Sequence, residues 1–166
     1  MKKNMRQLTI STTEYKSCAI TGHRTLPINL DREKLKGILR ELIQQGVETF
    51  YNGLAVGFDL LTAELLLELK KEFPHLRLIG CIPFQGQEKY YTSEDKLLYC
   101  RILAACEKTV VFYSEYHHGC YFTRNDYMAE HADVLLAYCI SKKGGTAYTV
   151  RAFQKKKGKE NVIFFV

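Results

Sequence analysis

Asn52-Gly53-Leu54-Ala55-Val56-Gly57-Phe58-Asp59 stands between an apolar run, Val47 to Tyr51, and a longer apolar stretch, Leu60 to Phe73, that ends at Pro74. The first run has the length and the β-branched and aromatic character of a strand, and the second is long enough for a largely buried helix. Two glycines and a small alanine between them make a tight strand-to-helix turn, with Asp59 placed to cap the helix.

Strand and helix alternate outward from this unit in both directions. Upstream, Ser17 to Thr21 reads as a short strand ending at Gly22. A helix starts at Asp31, carries Leu35, Ile38, Leu39, Leu42 and Ile43 on one face, and stops at Gly46. Downstream, Leu76 to Ile82 is a third strand closed by Pro83, and residues 84–92 are polar and read as a loop. Thr92 or Ser93 caps a helix with Leu97, Leu98, Ile102 and Leu103 on its inner face. Thr109 to Tyr113 is a strand, Thr123 to His131 a helix, Val134 to Cys139 a strand, Thr146 to Lys156 a helix and Val162 to Val166 a last strand. These strands are continuous apolar runs, the pattern of strands buried on both faces. The expectation is an α/β, Rossmann-like three-layer sandwich, with a mainly parallel sheet of about six strands and helices on both faces.

Bulk composition agrees with one globular domain. The chain has 166 residues, 46% hydrophobic and 25% charged. No apolar run approaches the roughly 20 residues of a membrane span, and the polar N-terminus lacks a signal-peptide core, so a cytoplasmic protein without membrane partners is expected. The six cysteines form no C-x-x-C pair, and Cys18, Cys81 and Cys139 lie in apolar runs, which reads as reduced structural thiols. The net charge is +6, but Lys155, Lys156, Lys157 and Lys159 supply much of it at a helix end, where cations suit the helix dipole. That charge does not argue for DNA.

In open parallel sheets ligands bind beyond the C-terminal strand ends, and three corners fall there. Thr21-Gly22-His23-Arg24 offers close backbone approach and anion donors. Asn52 to Asp59 points backbone N–H groups at a helix N-terminus, with Gly53, Ala55 and Gly57 leaving room, although it is neither G-x-G-x-x-G nor a P-loop. Gly144-Gly145-Thr146 does the same before another helix, with a hydroxyl added. Arg124-Asn125 lies between them, and a guanidinium there suits phosphate. Glu64 and Glu88 are the carboxylates nearest these corners, and Tyr90, Tyr91, Tyr116 and Tyr121 fall in loops where they can stack on a base. The adjacent His117 and His118 are poorly placed to share an ion. No metal site is expected and no cofactor is required.

Thr21-Gly22-His23-Arg24, Gly53-Leu54-Ala55-Val56-Gly57-Phe58-Asp59, Pro83-Phe84, Arg124-Asn125 and Gly144-Gly145-Thr146, in this order, resemble the YpsA-like branch of the SLOG superfamily of bacterial proteins. The resemblance implies a flexible N-terminal arm over 1–16, a single Rossmann-like SLOG domain over 17–166, and a homodimer as the form to test. It also implies three kinds of relative: nucleotide-binding proteins, cytokinin-activating phosphoribohydrolases, and a DNA-processing recombination mediator. Arg124, Met128, Ala132-Asp133 and Gly145-Thr146 match the phosphoribohydrolase pattern. Asn125 replaces its lysine, however, and Tyr148 and Thr149 stand where its catalytic glutamates would be. Neither residue supplies an anion at neutral pH; Glu64 from another element is the substitute to weigh.

The leading expectation is therefore a nucleotide-binding or nucleotide-sensing protein. Gly22, His23, Arg24, Gly53, Ala55, Gly57, Asp59, Arg124, Asn125, Gly144, Gly145 and Thr146 form its site. A nucleotide N-glycosidase using Arg124 and Glu64 comes second and a single-stranded DNA-binding module third, nucleic acid being the less expected partner.

Overall fold

The computed structural model describes residues 14–166. Strands β1 (Ser17–Gly22), β2 (Thr49–Asn52), β3 (Arg77–Phe84), β4 (Lys108–Tyr113), β5 (Val134–Tyr138) and β6 (Val162–Phe164) alternate with five helices. These are α1 (Arg32–Gln44), α2 (Phe58–Lys70), α3 (Ser93–Ala105), α4 (Cys120–His131) and α5 (Gly145–Lys157). The strands form one six-stranded sheet in the order β4-β3-β2-β1-β5-β6, and every neighbouring pair is parallel. This is the expected α/β architecture. No helix among the described residues is long and apolar enough to cross a membrane.

Burial on both faces explains the continuous apolar strands. Cys18 and Ile20 of β1 point into one core with Leu35, Leu39, Phe58 and Leu66 of α1 and α2. Ala19, between them, points into a second core with Met128, Ala129 and Phe153 of α4 and α5. Small Ala19 and Ala137 on the second face leave room for α4 and α5 to pack closely against the sheet.

The chain steps outward from β1 to β4, and α4 then carries it back to place β5 beside β1. The switch in winding direction therefore falls between β1 and β5. The corner after β1 leads to α1 on one face, and the corner after β5 leads to α5 on the other, so a crevice opens between them. At the opposite strand ends, Asp133 ties the same two strands together. Its Oδ2 accepts from the Lys16 and Ser17 amides at 2.8 and 3.2 Å. Asp133, part of the phosphoribohydrolase pattern, thus lies at the sheet end away from the crevice.

Several local expectations change. β3 runs through Pro83 instead of closing there. β2 ends at Asn52, paired with Gly80, so Pro83 lies beyond the last β2 partner and its missing N–H interrupts no β2–β3 bond. A 3₁₀ turn, Gln87–Tyr90, occupies the expected loop. Leu97 is 75% exposed, not inward: the inner face of α3 is carried by Tyr99 and Ile102. α4 begins three residues early, at Cys120, and Cys139 is half-buried just past β5. Burial pushes the thiols of Cys18 and Cys81 up to about 12, which keeps both protonated. Of the arm expected over 1–16, residues 1–13 lie outside the described residues, while Tyr15 donates to Asn161 Oδ1 at 2.6 Å.

Candidate functional site

The corner after β2 is closed by its own buried side chains. Asn52 donates through Nδ2 to the Asp59 carbonyl at 2.9 Å and accepts the Leu54 N–H at 2.8 Å. The Gly53 carbonyl accepts from Gln87 Nε2 at 3.0 Å, and the Leu54 carbonyl accepts from the Tyr91 hydroxyl at 3.0 Å. These bonds hold Leu54 at φ 54, in the left-handed region that leucine rarely visits. The corner after β1 lies directly against this one. The His23 carbonyl accepts the Phe58 N–H at 3.1 Å, and a β-carbon on Gly57 would overlap the Arg24 carbonyl.

Arg124 crosses from α4 to the same place. It is 5% exposed, and its Nε donates to Asn125 Oδ1 at 2.7 Å. Nη1 donates to the carbonyls of Gly53 at 3.0 Å and Cys81 at 3.4 Å. Nη2 has no acceptor among the described residues. A β-carbon on Gly53 would overlap the Arg124 guanidinium, so this glycine makes room for arginine and does not itself face the crevice. Asp59 sits alongside, 6% exposed. It is the second residue of α2 and not the cap expected from sequence, a position that Gly57 takes with no side-chain bond; its Oδ2 accepts the Ala55 N–H at 3.3 Å.

Burial raises the Asp59 carboxyl from 3.8 to about 6, opposed by the nearby charges of Arg124 and Arg24 and by the Ala55 bond. Between those two values the folded protein holds the proton more tightly than the unfolded chain. Stability is thus expected to fall as pH rises from about 4 to about 6, by about 3 kcal/mol from this group. Asp59→Asn keeps an oxygen for Ala55 and carries no charge, so its melting temperature should lack that part of the decline. Parallel pH–melting curves for the two proteins would contradict this.

These groups border one cavity of about 490 Å³ at the switch point. Gly22, His23 and Arg24 line it from the first corner, Ala55 and Asp59 from the second, Gly145 and Thr146 from the third, and Arg124 and Asn125 from α4. All three expected corners therefore meet. Gly53, Gly57 and Gly144 do not line it; the first two serve the packing just described. His23 reaches across the crevice, its Nε2 accepting the Ile140 N–H at 2.8 Å, which joins the corners after β1 and β5.

Helix capping separates the site from the rest of the fold. α1 and α3 are capped by their own side chains, Asp31 to the Lys34 N–H and Thr92 to the Asp95 N–H. α2, α4 and α5 begin after Gly57, Gly119 and Gly144 with no side-chain cap. The N–H groups of Tyr121 and Phe122, and of Gly145 and Thr146, find no acceptor among the described residues, and all four residues line the cavity. Such N-termini attract anions.

His118, on the loop before α4, and Tyr121, in its first turn, complete the wall. The guanidinium carbons of Arg24 and Arg124 lie 5.4 and 5.8 Å from the Tyr121 ring centroid. Tyr116 lines the mouth, whereas Tyr91 is committed to the Leu54 carbonyl. Glu64, weighed as a catalytic substitute, is placed elsewhere: it pairs with Arg32 at 2.8 Å and Arg101 at 3.1 Å on the outer side of α2. Glu88 lies in the adjoining groove beyond Tyr116 and Tyr121, not in this cavity. Tyr148 packs on Phe122, and Thr149 is buried with its hydroxyl on the Gly145 carbonyl at 2.9 Å. The residues that sequence reasoning passed over are Asn52 and Gln87, which shape the second corner. A polar residue ending an apolar strand was the available signal for Asn52; Gln87 carried none.

The model of the YspA SLOG family (YpsA) matches residues 13–166. A UPF0398 protein of Halalkalibacterium halodurans is 26% identical over 159 residues, covering 94% of this chain and 84% of that protein. The SPbeta prophage-derived protein YoqJ of Bacillus subtilis is 27% identical over 128 residues, covering 69% and 75%. Among solved structures, DNA processing protein A of Helicobacter pylori, described for its single-stranded DNA binding mode, superposes with a TM-score of 0.63 at 20% identity over 89% of this chain. The Streptococcus pneumoniae protein of that name gives 0.62 at 17% over 90%. The chain spans 64% and 53% of those two structures, and the likeness is one of fold.

Proposed function

The chain belongs to the YspA SLOG family, and from that premise we propose that it binds a nucleotide or nucleotide derivative in the crevice between β1 and β5. The observation that carries this reading is the convergence of two uncapped helix N-termini and the free Nη2 of buried Arg124 on one cavity. Phosphate oxygens fit those donors, which have no acceptor to give up among the described residues. Tyr121 and Tyr116 then offer aromatic faces to a base. Binding without turnover is favoured because Tyr148 and Thr149 occupy the positions of the phosphoribohydrolase glutamates and neither lines the cavity.

Protein stripped of retained small molecules is expected to melt several degrees higher with millimolar concentrations of at least one member of a panel of nucleoside mono- and diphosphates, dinucleotides and ADP-ribose. A flat response across the panel would defeat the proposal.

A second reading, single-stranded DNA binding, draws on one feature. Beyond Tyr116 and Tyr121 the surface continues into a groove of about 800 Å³ that also carries Tyr90, Lys89 and Lys96. Aromatic rings among lysines suit a single strand, but Glu88 and Glu115 line the same groove and weaken its field. DNA binding predicts a gel shift with single strands that fades as salt is raised; no shift at low salt removes it.

A further inference from the structure

Arg32, Arg40, Arg77 and Arg101 each lie 2.8 to 3.7 Å from a glutamate oxygen. The two arginines that line the crevice make no such pair among the described residues. Arg24 and Arg124 instead hold their guanidinium carbons 5.4 and 5.8 Å from one ring, that of Tyr121. Two like charges beside one cavity repel unless an anion lies between them. Arg124 is 5% exposed, and its Nη2 has no acceptor. The only fully sealed side-chain oxygen or nitrogen without a partner among the described residues is Asp59 Oδ1. Nη2 is therefore not sealed, and it stays open to the cavity that Arg124 lines.

The donors around this charge fall into two sets on neighbouring helices. Phe122 in the first turn of α4 packs on Tyr148 in the first turn of α5, ring centroids 4.5 Å apart, and Lys156 pairs with Glu130 at 3.0 Å near their far ends. The free N–H groups of a first turn point along that helix's own axis, and the axes of packed helices lie about 8–10 Å apart. A hydrogen bond spans about 2.9 Å, so a phosphate seated on one N-terminus leaves the donors of the other unfilled. α4 offers the Tyr121 and Phe122 N–H groups with the two guanidiniums beside them; α5 offers those of Gly145 and Thr146 and the Thr146 hydroxyl. Two arginines and two N-termini of about half a charge each sum to about +3, more than the charge of about −2 on one phosphate group balances. We infer that the ligand carries two phosphate groups, one on each N-terminus, joined as a diphosphate or separated by the sugar. The inference rests on the nucleotide reading above and narrows it to nucleotides with two phosphates.

Isothermal titration of the stripped protein with adenosine, guanosine, cytidine and uridine, each as 5′-monophosphate, 5′-diphosphate and 3′,5′-bisphosphate, tests this. For the preferred base, one of the two-phosphate forms is expected to bind at least about tenfold more tightly than the monophosphate, and which of them does so tells joined phosphates from separated ones. Gly145→Pro deletes one donor of the α5 set. Proline suits the first position of a helix, a β-carbon there meets nothing within 4 Å, and Gly144 before it has an extended ψ of −179. In this variant the advantage over monophosphate should fall to within about threefold. Should it fail to fold, Thr146→Val removes the hydroxyl alone, and the advantage should shrink by about threefold or more. Neither substitution alters net charge, so an advantage that persists in full in the folded variant reflects charge alone and overturns the inference. Equal affinity of the parent for all three forms overturns it as well and leaves nucleotide binding intact. Binding of no form at all overturns the nucleotide reading and this inference with it.

Discussion

Arg124→Ala is expected to melt about 10 °C below the parent protein and to bind its nucleotide about 100-fold more weakly. Both effects follow from burial. The guanidinium holds Asn125 Oδ1 and the carbonyls of Gly53 and Cys81, and it offsets the buried Asp59 carboxylate. Leaving a buried acceptor without its donor costs about 1–3 kcal/mol, three acceptors lose theirs together, and each kcal/mol moves the midpoint of a domain this size by about 2–4 °C. Losing the one buried cation of the floor accounts for the weaker binding. Arg124→Lys keeps the charge but cannot span three acceptors with a single ammonium, so it should recover part of the stability and little of the affinity. An alanine variant that melts within about 2 °C of the parent would refute the structural role given to the guanidinium.

Gly57→Ala is expected to be worse for folding, failing to accumulate as folded protein or melting more than about 10 °C low. The residue sits at φ 85 and ψ −124, a conformation closed to alanine. A β-carbon there would also meet backbone, lying 2.6 Å from the His23 carbonyl oxygen and overlapping that of Arg24. Rotamer changes cannot relieve a clash with backbone, so the corners after β1 and β2 would have to separate. Gly37→Ala is the matched control. Gly37 lies inside α1, and a methyl group added there would meet nothing within 4 Å, so alanine should raise stability by about 1 kcal/mol. Similar thermal melts for the two substitutions would show that the contact between the corners does not hold the site together.

Both variants touch the same feature of the fold. It caps α1 and α3 with side chains and leaves α2, α4 and α5 uncapped at the crevice, and it retains a buried carboxyl oxygen with no partner beside them. Each of these forgoes stability that a simple substitution could recover. Local departures of this kind gather where a protein binds something.

Strand and helix order was readable from residue order because burial on both sheet faces writes continuous apolar runs, and because helix starts are local events. Asp31 caps α1 through an N–H three residues away, and the crevice corners announce themselves as glycines between a strand and a helix. Contacts across the chain were not readable in this way. Gly53 and Arg124 are 71 residues apart, and they meet because the strand order returns β5 to the side of β1. No local pattern encodes that order. It determined that Gly53 and Gly57 make room for side chain and backbone instead of ligand, that Glu64 faces away, and that Arg124 is buried beneath the cavity. The same long-range packing isolates one oxygen of Asp59, since a carboxyl has two acceptors to satisfy and the neighbouring backbone provides for only one.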